Sequence, residues 1–227
     1  YDNVIHDVAI QGLPVVMCLD RGGLVGEDGV THHGVFDMAA FGAVPGLTVA
    51  APMNEPELRN MMYTALGSGH PFMIRYPRGH GEGLPWRGEK FETLPVGRGR
   101  RLREGADVAL LTVGTVGNAA ARAAGRAAAE GVSVAHYDLR FVKPLDEALL
   151  DEVGRKFRRV VTVEDGSLRG GVGEAVAAFF NGRGYDVRVQ RLGIGDEWVE
   201  HGTPGQLYAL CGYDEEGILR ALLDTRA

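Results

Sequence analysis

Between Asp20 and Asp37 the chain reads DRGGLVGEDGVTHHGVFD, a stretch with one arginine, four carboxylates, five glycines and two adjacent histidines. Glycines at 22, 23, 26, 29 and 34 allow the backbone to turn tightly and to lie close against a ligand. Arg21 offers a planar fork to a phosphate or carboxylate, with a structural ion pair to Asp28 as the plainer alternative. Histidine as a residue type titrates near physiological pH and can donate, accept or relay a proton. His32 and His33 are neighbours on a loop, where side chains diverge, so one of them is expected to face a site. Long loops in compact domains are often functional, the alternative being an ordinary surface excursion.

Three further stretches carry polar chemistry. In IRYPRGHG, residues 74–81, an apolar run ends in a proline turn and presents Arg78 as a candidate anion ligand, with ordinary surface charges the alternative for Arg75 and Arg78 and a solvent-facing position expected for His80. EDGSLRGGVGEAV, residues 164–176, is a strand end, a glycine turn and a helix start. Its free N–H groups can cradle an anion. It has neither the Walker lysine nor the spacing of a dinucleotide fingerprint, and tight packing of turn on helix is the simpler reading. DEWVEHG, residues 196–202, collects three carboxylates and His201, but closeness in sequence does not make a metal site, and a solvated loop is expected there.

These groups need elements to hold them. LPVVMCLD, GLTVAAP and PFMIRYP are short, apolar and partly β-branched, and residues 54–67 have helical spacing at Leu58, Met61, Met62 and Leu66. Ahead of them YDNVIHDVAIQ reads as a helix with Val4, Ile5, Val8 and Ala9 on one side. Residues 77–105 are rich in Gly, Pro and charge and read as a connection. Beyond them strand and helix patterns alternate again: DVALLTVG, an Ala-rich helix, VSVAHYDLRF, DEALLDEVGRKF, RRVVTVED, GGVGEAVAAFF and YDVRVQRLGI. Helices between strands imply crossover connections and a mainly parallel sheet covered on both faces. The fold class expected is therefore α/β, with two doubly wound sheets. Ligands of such sheets collect at the carboxyl ends of strands, where Asp20, Arg21, Arg78, Glu164 and Asp165 all fall.

Composition sets the outer bounds. At 227 residues and 45% hydrophobic content the chain can bury substantial cores in two domains. Lys and Arg number 24 against 30 Asp and Glu, a net charge of -6 with no basic tract, which disfavours a nucleic-acid binder. Cys18 and Cys211 form neither a disulfide framework nor a metal cluster, so a reducing cytoplasm is expected. No apolar run reaches the roughly 18–20 residues that span a bilayer, and no signal-peptide pattern opens the chain. Because Tyr1 and not Met is first, and a helix starts at once, further sequence is expected upstream.

The segments YDNVIHDVAIQGLPVVMCLDRGGLVGEDGVTHHGVFD, PFMIRYPRG and YDLRFVKPLDEALLDEV together resemble the 1-deoxy-D-xylulose-5-phosphate synthase family, thiamine-diphosphate enzymes of the transketolase superfamily. The likeness covers essentially the whole chain. It implies that residues 1–80 are the later half of a thiamine pyrimidine-binding domain, 81–105 a linker and 106–227 a transketolase-type C-terminal domain. It also implies that the diphosphate-binding domain, its Mg²⁺ ligands and the residues that activate thiamine diphosphate lie upstream of Tyr1 or on a companion chain. The chain alone is then expected to be inactive. The family joins pyruvate to D-glyceraldehyde 3-phosphate with loss of CO₂, as homodimers in the cytoplasm. Carried over by position, Arg21 and Arg78 would grip the acceptor phosphate and Asp28 would line the substrate channel. His32 would assist proton movement at the reacting oxygen, and His33 is not expected to be catalytic. A transketolase, a 2-oxoacid dehydrogenase β subunit, or a non-catalytic assembly or binding subunit are the alternatives.

Overall fold

The computed structural model describes residues 1–224; the last three residues of the expected C-terminal domain lie outside the described ones. Two sheets organise the chain. The first has the order β1 (Val16–Leu19), β3 (Phe72–Arg75), β2 (Thr48–Ala50), β7 (Phe141–Lys143), and the second the order β4 (Arg100–Arg103), β6 (Val134–Asp138), β5 (Val108–Val113), β8 (Arg159–Ser167), β9 (Arg188–Ile194). Within each sheet all neighbours are parallel except one antiparallel edge pair, β2 with β7 and β4 with β6. The helices are α1 (Asp37–Gly42), α2 (Glu55–Leu66), α3 (Val116–Ala129), α4 (Glu147–Lys156), α5 (Val172–Gly182), α6 (Pro204–Leu210) and α7 (Glu215–Leu223). The expected α/β class and the parallel crossovers are thus what the chain adopts.

Burial on both faces explains the continuous apolar runs. Along β5, Val108 and Leu110 pack with α3 and α7 on one face, while Ala109, Leu111 and Val113 meet α4 and α5 on the other. In the first sheet Phe72 and Ile74 face Met61 and Ala65 of α2, and Met73 faces Val44 and Leu47. Residues Val4–Ala9 form a π-helical segment whose Val4, Ile5 and Ala9 lean on that second cluster. Helix α2 begins where Asn54 accepts the Glu57 N–H through its side chain (3.2 Å) and ends at Gly67.

The run read as one strand, VSVAHYDLRF, is two. Arg140 takes a φ of 60°, turning the chain so that β6 stays in the second sheet while β7 crosses to pair with β2 in the first. Its guanidinium then grips Glu57 of α2 with two bonds, 2.8 and 2.9 Å, and Arg100 joins Glu57 to the buried Asp138. The sheets are thereby stitched together, and β4 lies in the stretch read as a linker.

Candidate functional site

The loop after β1 is closed at its neck. The Gly22 N–H donates to the Tyr76 carbonyl (2.9 Å), and Gly23 and Gly34 exchange N–H···O bonds of 2.8 and 2.9 Å. Sterics demand glycine here: a Cβ on Gly34 would overlap the Arg21 carbonyl, and one on Gly23, whose φ is 80°, would overlap the Asp165 carboxylate. Arg21 itself has a φ of 56°, an uncommon conformation for a residue with a side chain.

Below the neck lies a buried polar base. Arg75, the last residue of β3, is 4% exposed and so is not the surface group its sequence setting suggested. Its Nε donates to Asp37 (2.8 Å) and one Nη to the Asp165 carbonyl (3.0 Å). Asp165, at the far end of β8, accepts the Leu24 N–H (3.0 Å) and the Tyr213 hydroxyl (2.7 Å) on one carboxylate oxygen, with the Tyr208 hydroxyl at 3.4 Å from the other. Burial pushes the Asp165 carboxyl up from its ordinary range, while Arg75 and these donors pull it back. The loop's return limb is tied to the same strand end, because the Ser167 N–H donates to Val35 (2.8 Å).

Beside Asp165, Glu164 accepts the N–H groups of Val172 and Gly173, both at 2.8 Å. It caps α5, which has no capping side chain of its own at Gly171. The N–H groups at this helix start are therefore taken by the protein's own carboxyl group. Burial raises the Glu164 carboxyl to about 7 against the pull of those two N–H groups.

The residues singled out for chemistry stand on the solvent rim. Arg78 donates to Asp28 at 2.7 Å, so two of the four expected site residues meet. The Arg21–Asp28 pair offered by the sequence is not formed; Arg21 bonds its neighbour Asp20 at 2.6 Å. His32 is exposed and touches Thr31 Oγ1 through Nδ1 (2.9 Å). His33 is partly buried, with Nδ1 accepting the Val25 N–H (3.1 Å) and Nε2 facing the Glu200 carbonyl at 3.5 Å, an arrangement that favours the Nε2-protonated tautomer. Arg78 and His80 also border a cleft of about 630 Å³ between the domains, with Met53, Leu58, Tyr76 and Tyr208 among its walls.

This constellation presents two half-exposed guanidinium groups and an exposed imidazole at the rim, groups of a kind that can bind an anion and carry a proton. The supporting tyrosines 208 and 213 escaped the sequence, since nothing in their linear spacing points to a carboxylate 43 or 48 residues away. Among the described residues no three His, Cys, Asp or Glu side chains gather to hold a metal ion, so these residues do not fit a Mg²⁺ centre.

Comparison with known proteins gives two family matches, "Transketolase, pyrimidine binding domain" over residues 1–82 and "Transketolase, C-terminal domain" over residues 97–218. Curated relatives named 1-deoxy-D-xylulose-5-phosphate synthase include those of Bacteroides fragilis, 58% identical over 100% of this chain, and Bacteroides thetaiotaomicron, 57% identical over 98%; each match takes in 35% of the relative. The relative from Symbiobacterium thermophilum is 48% identical over 96% of this chain and 33% of its own length. The chain thus spans about a third of the length of the curated relatives it matches. A solved structure described as a split gene transketolase, inactive β4 tetramer, superposes with a TM-score of 0.83 at 26% identity, covering 97% of this chain and 69% of that one.

Proposed function

Because the chain belongs to the transketolase family, we propose that it is the acceptor-binding part of a 1-deoxy-D-xylulose-5-phosphate synthase, which condenses pyruvate with D-glyceraldehyde 3-phosphate and releases CO₂. The observation that carries this proposal is the loop of residues 20–37, held rigid at a buried base while Arg21, Asp28 and His32 stand on its rim and Arg78 meets Asp28 from the neighbouring strand end. Arg21 and Arg78 serve as cations for the acceptor phosphate, Asp28 orients Arg78, and the His32 imidazole hydrogen-bonds the oxygen that changes charge as the new carbon–carbon bond forms. Thiamine diphosphate supplies the carbon nucleophile in such enzymes. The described residues give no ligand set for its Mg²⁺, so the steps assigned to this chain concern the acceptor alone.

The proposal extends to a homodimer in the cytoplasm. Two free cysteines accord with a reducing compartment, and among the described residues no helix is long and apolar enough to cross a membrane. Kinetics test the acceptor site. In the complete enzyme Arg21→Ala and Arg78→Ala each raise the KM for glyceraldehyde 3-phosphate about tenfold to a hundredfold. That is the lower part of what truncating a charge pair costs, since both guanidinium groups are half exposed. Pyruvate KM changes less. Loss of affinity for pyruvate alone would refute the phosphate assignment.

A further inference from the structure

The rim residues have few partners of their own, which leaves open what fixes the backbone that carries them. Among the described residues the Arg21 side chain bonds the adjacent Asp20, and the His32 side chain bonds the adjacent Thr31. Their backbone is anchored within its own domain at Gly22, whose N–H donates to the Tyr76 carbonyl, and across the domain boundary at Leu24 and Val35. The two anchors across the boundary are both taken by one element, the end of β8. The Leu24 amide ends on the Asp165 carboxylate, and the Gly23 backbone rests so close to that carboxylate that no side chain fits between them. Leu24 is 1% exposed and Asp165 3%, so water does not stand in for this bond.

Asp165 is in turn fixed from behind. Tyr213, at the turn before α7, donates to the same oxygen that receives Leu24, and Arg75 holds the Asp165 carbonyl while bonding Asp37, where the loop ends.

We propose that Asp165 is a positioning residue of the acceptor site: by accepting the Leu24 N–H from across the domain boundary, it sets the register of the loop and hence the place of Arg21 and His32 relative to Arg78. This rests on the acceptor-site proposal above, and it adds that the C-terminal domain determines acceptor affinity without touching the acceptor. An acceptor atom is what the role requires. Asn at 165 keeps a carbonyl oxygen for Leu24 and Tyr213 and turns an amide toward Tyr208, whereas Ala leaves a buried N–H without a partner.

The test uses the complete enzyme. Amide hydrogen exchange over residues 20–30 and steady-state kinetics are measured for Asp165→Ala, Asp165→Asn and Tyr213→Phe. For Asp165→Ala the expected result is at least tenfold faster exchange at Leu24 and at least a tenfold rise in KM for glyceraldehyde 3-phosphate, with pyruvate KM within threefold. Asp165→Asn restores both to within about threefold. If Asp165→Ala does not fold, Tyr213→Phe, which keeps the ring and removes one donor, carries the test with the same pattern at smaller size. Unchanged Leu24 protection overturns the proposal. So does loosened exchange with an unchanged acceptor KM in an enzyme whose Arg78→Ala variant shows the raised KM. If Arg21→Ala and Arg78→Ala also leave that KM unchanged, the acceptor-site proposal itself has failed, and the exchange data still decide whether Asp165 holds the loop.

Discussion

Two strand ends in this molecule carry the same kind of residues and use them in opposite ways. At the end of β1, Asp20 and Arg21 face solvent and pair with each other. At the end of β8, Glu164 and Asp165 are 1% and 3% exposed, and each accepts backbone N–H groups, Glu164 from α5 and Asp165 from the β1 loop. Both positions are where a parallel sheet gathers ligands. The loop that follows each strand decides the difference. The β8 turn is short, and its carboxylates are consumed as caps and anchors. The β1 loop is long, and its neck is consumed in the same way while Arg21, Asp28 and His32 stay at the surface. Each region can be broken separately.

The largest effect on stability is expected where the two strand ends meet. Gly23→Ala adds a Cβ at a backbone φ of 80° and drives it into the Asp165 carboxylate. Strain at φ and overpacking against a buried group together cost on the order of 2–5 kcal/mol, read from urea unfolding midpoints. Gly29→Ala has a similar φ of 72°, yet its Cβ meets only the His201 side chain at 3.2 Å, so its loss is expected to be no more than half as large. Equal losses from both would mean that the neck is no tighter than the rim.

The buried carboxylates sharpen the comparison through pH. Glu164 is raised from 4.5 to about 7 by burial, so between those values the folded state holds a proton that the unfolded chain has released. Stability therefore falls as pH rises through that window. Asp138, raised from 3.8 to about 6 by burial, adds a slope of the same sign. His136 opposes them. Burial lowers it from 6.5 to about 4, so the folded state refuses a proton the unfolded chain would take, and stability is lost as pH falls through that range. The wild-type profile is expected to be shallow because these slopes cancel in part. Glu164→Gln removes one falling limb, so its stability relative to wild type improves by roughly 1–3 kcal/mol between pH 5 and pH 7, whatever the offset at pH 5. Unfolding curves at three pH values measure this, and parallel profiles would show that Glu164 does not titrate there.

The contrast also explains what the linear chain reveals. Residues 54–67 are read as a helix from the apolar spacing of Leu58, Met61, Met62 and Leu66, and α2 spans Glu55–Leu66, with Asn54 as its N-cap and Gly67 as its C-cap. The loop's glycines likewise announce tight backbone in advance, and Gly23 and Gly34 are where it is needed. What escapes is the tertiary partner. Arg75 looks like a surface charge in IRYPRG because its two carboxylate-bearing partners lie 38 and 90 residues away. The split of VSVAHYDLRF escapes too: its apolar residues run on past Asp138, and the turn shows only in the structure, where the Arg140 N–H donates to the Asp138 carboxylate and β7 pairs with β2. The turn of residues 164–176 offers an anion cradle as well as tight packing, because a strand end beside a glycine turn looks alike whether its N–H groups await a phosphate or already hold a carboxylate, here that of Glu164.

The smallest expected effect on stability belongs to the rim, and the adjacent histidines isolate it. His33 accepts the N–H of Val25, which is 4% exposed, so His33→Ala leaves a buried donor without a partner at a cost of roughly 1–3 kcal/mol. His32 is exposed and its side chain bonds the Thr31 hydroxyl, so His32→Ala is expected to stay within about 0.5 kcal/mol of wild type. Activity should run the other way. An imidazole that helps place a proton on the reacting oxygen contributes about 10²–10⁴-fold, so His32→Ala lowers kcat by that order with cofactor affinity unchanged. His33→Ala, assayed well below its unfolding temperature, loses far less, because its defect lies in how firmly the loop is held. Thermal unfolding and kcat measured on the same two preparations decide the matter. Equal small losses of kcat in both would leave His32 without a chemical role, and a His32→Ala enzyme whose activity fails only as it unfolds would move that residue from the rim to the base.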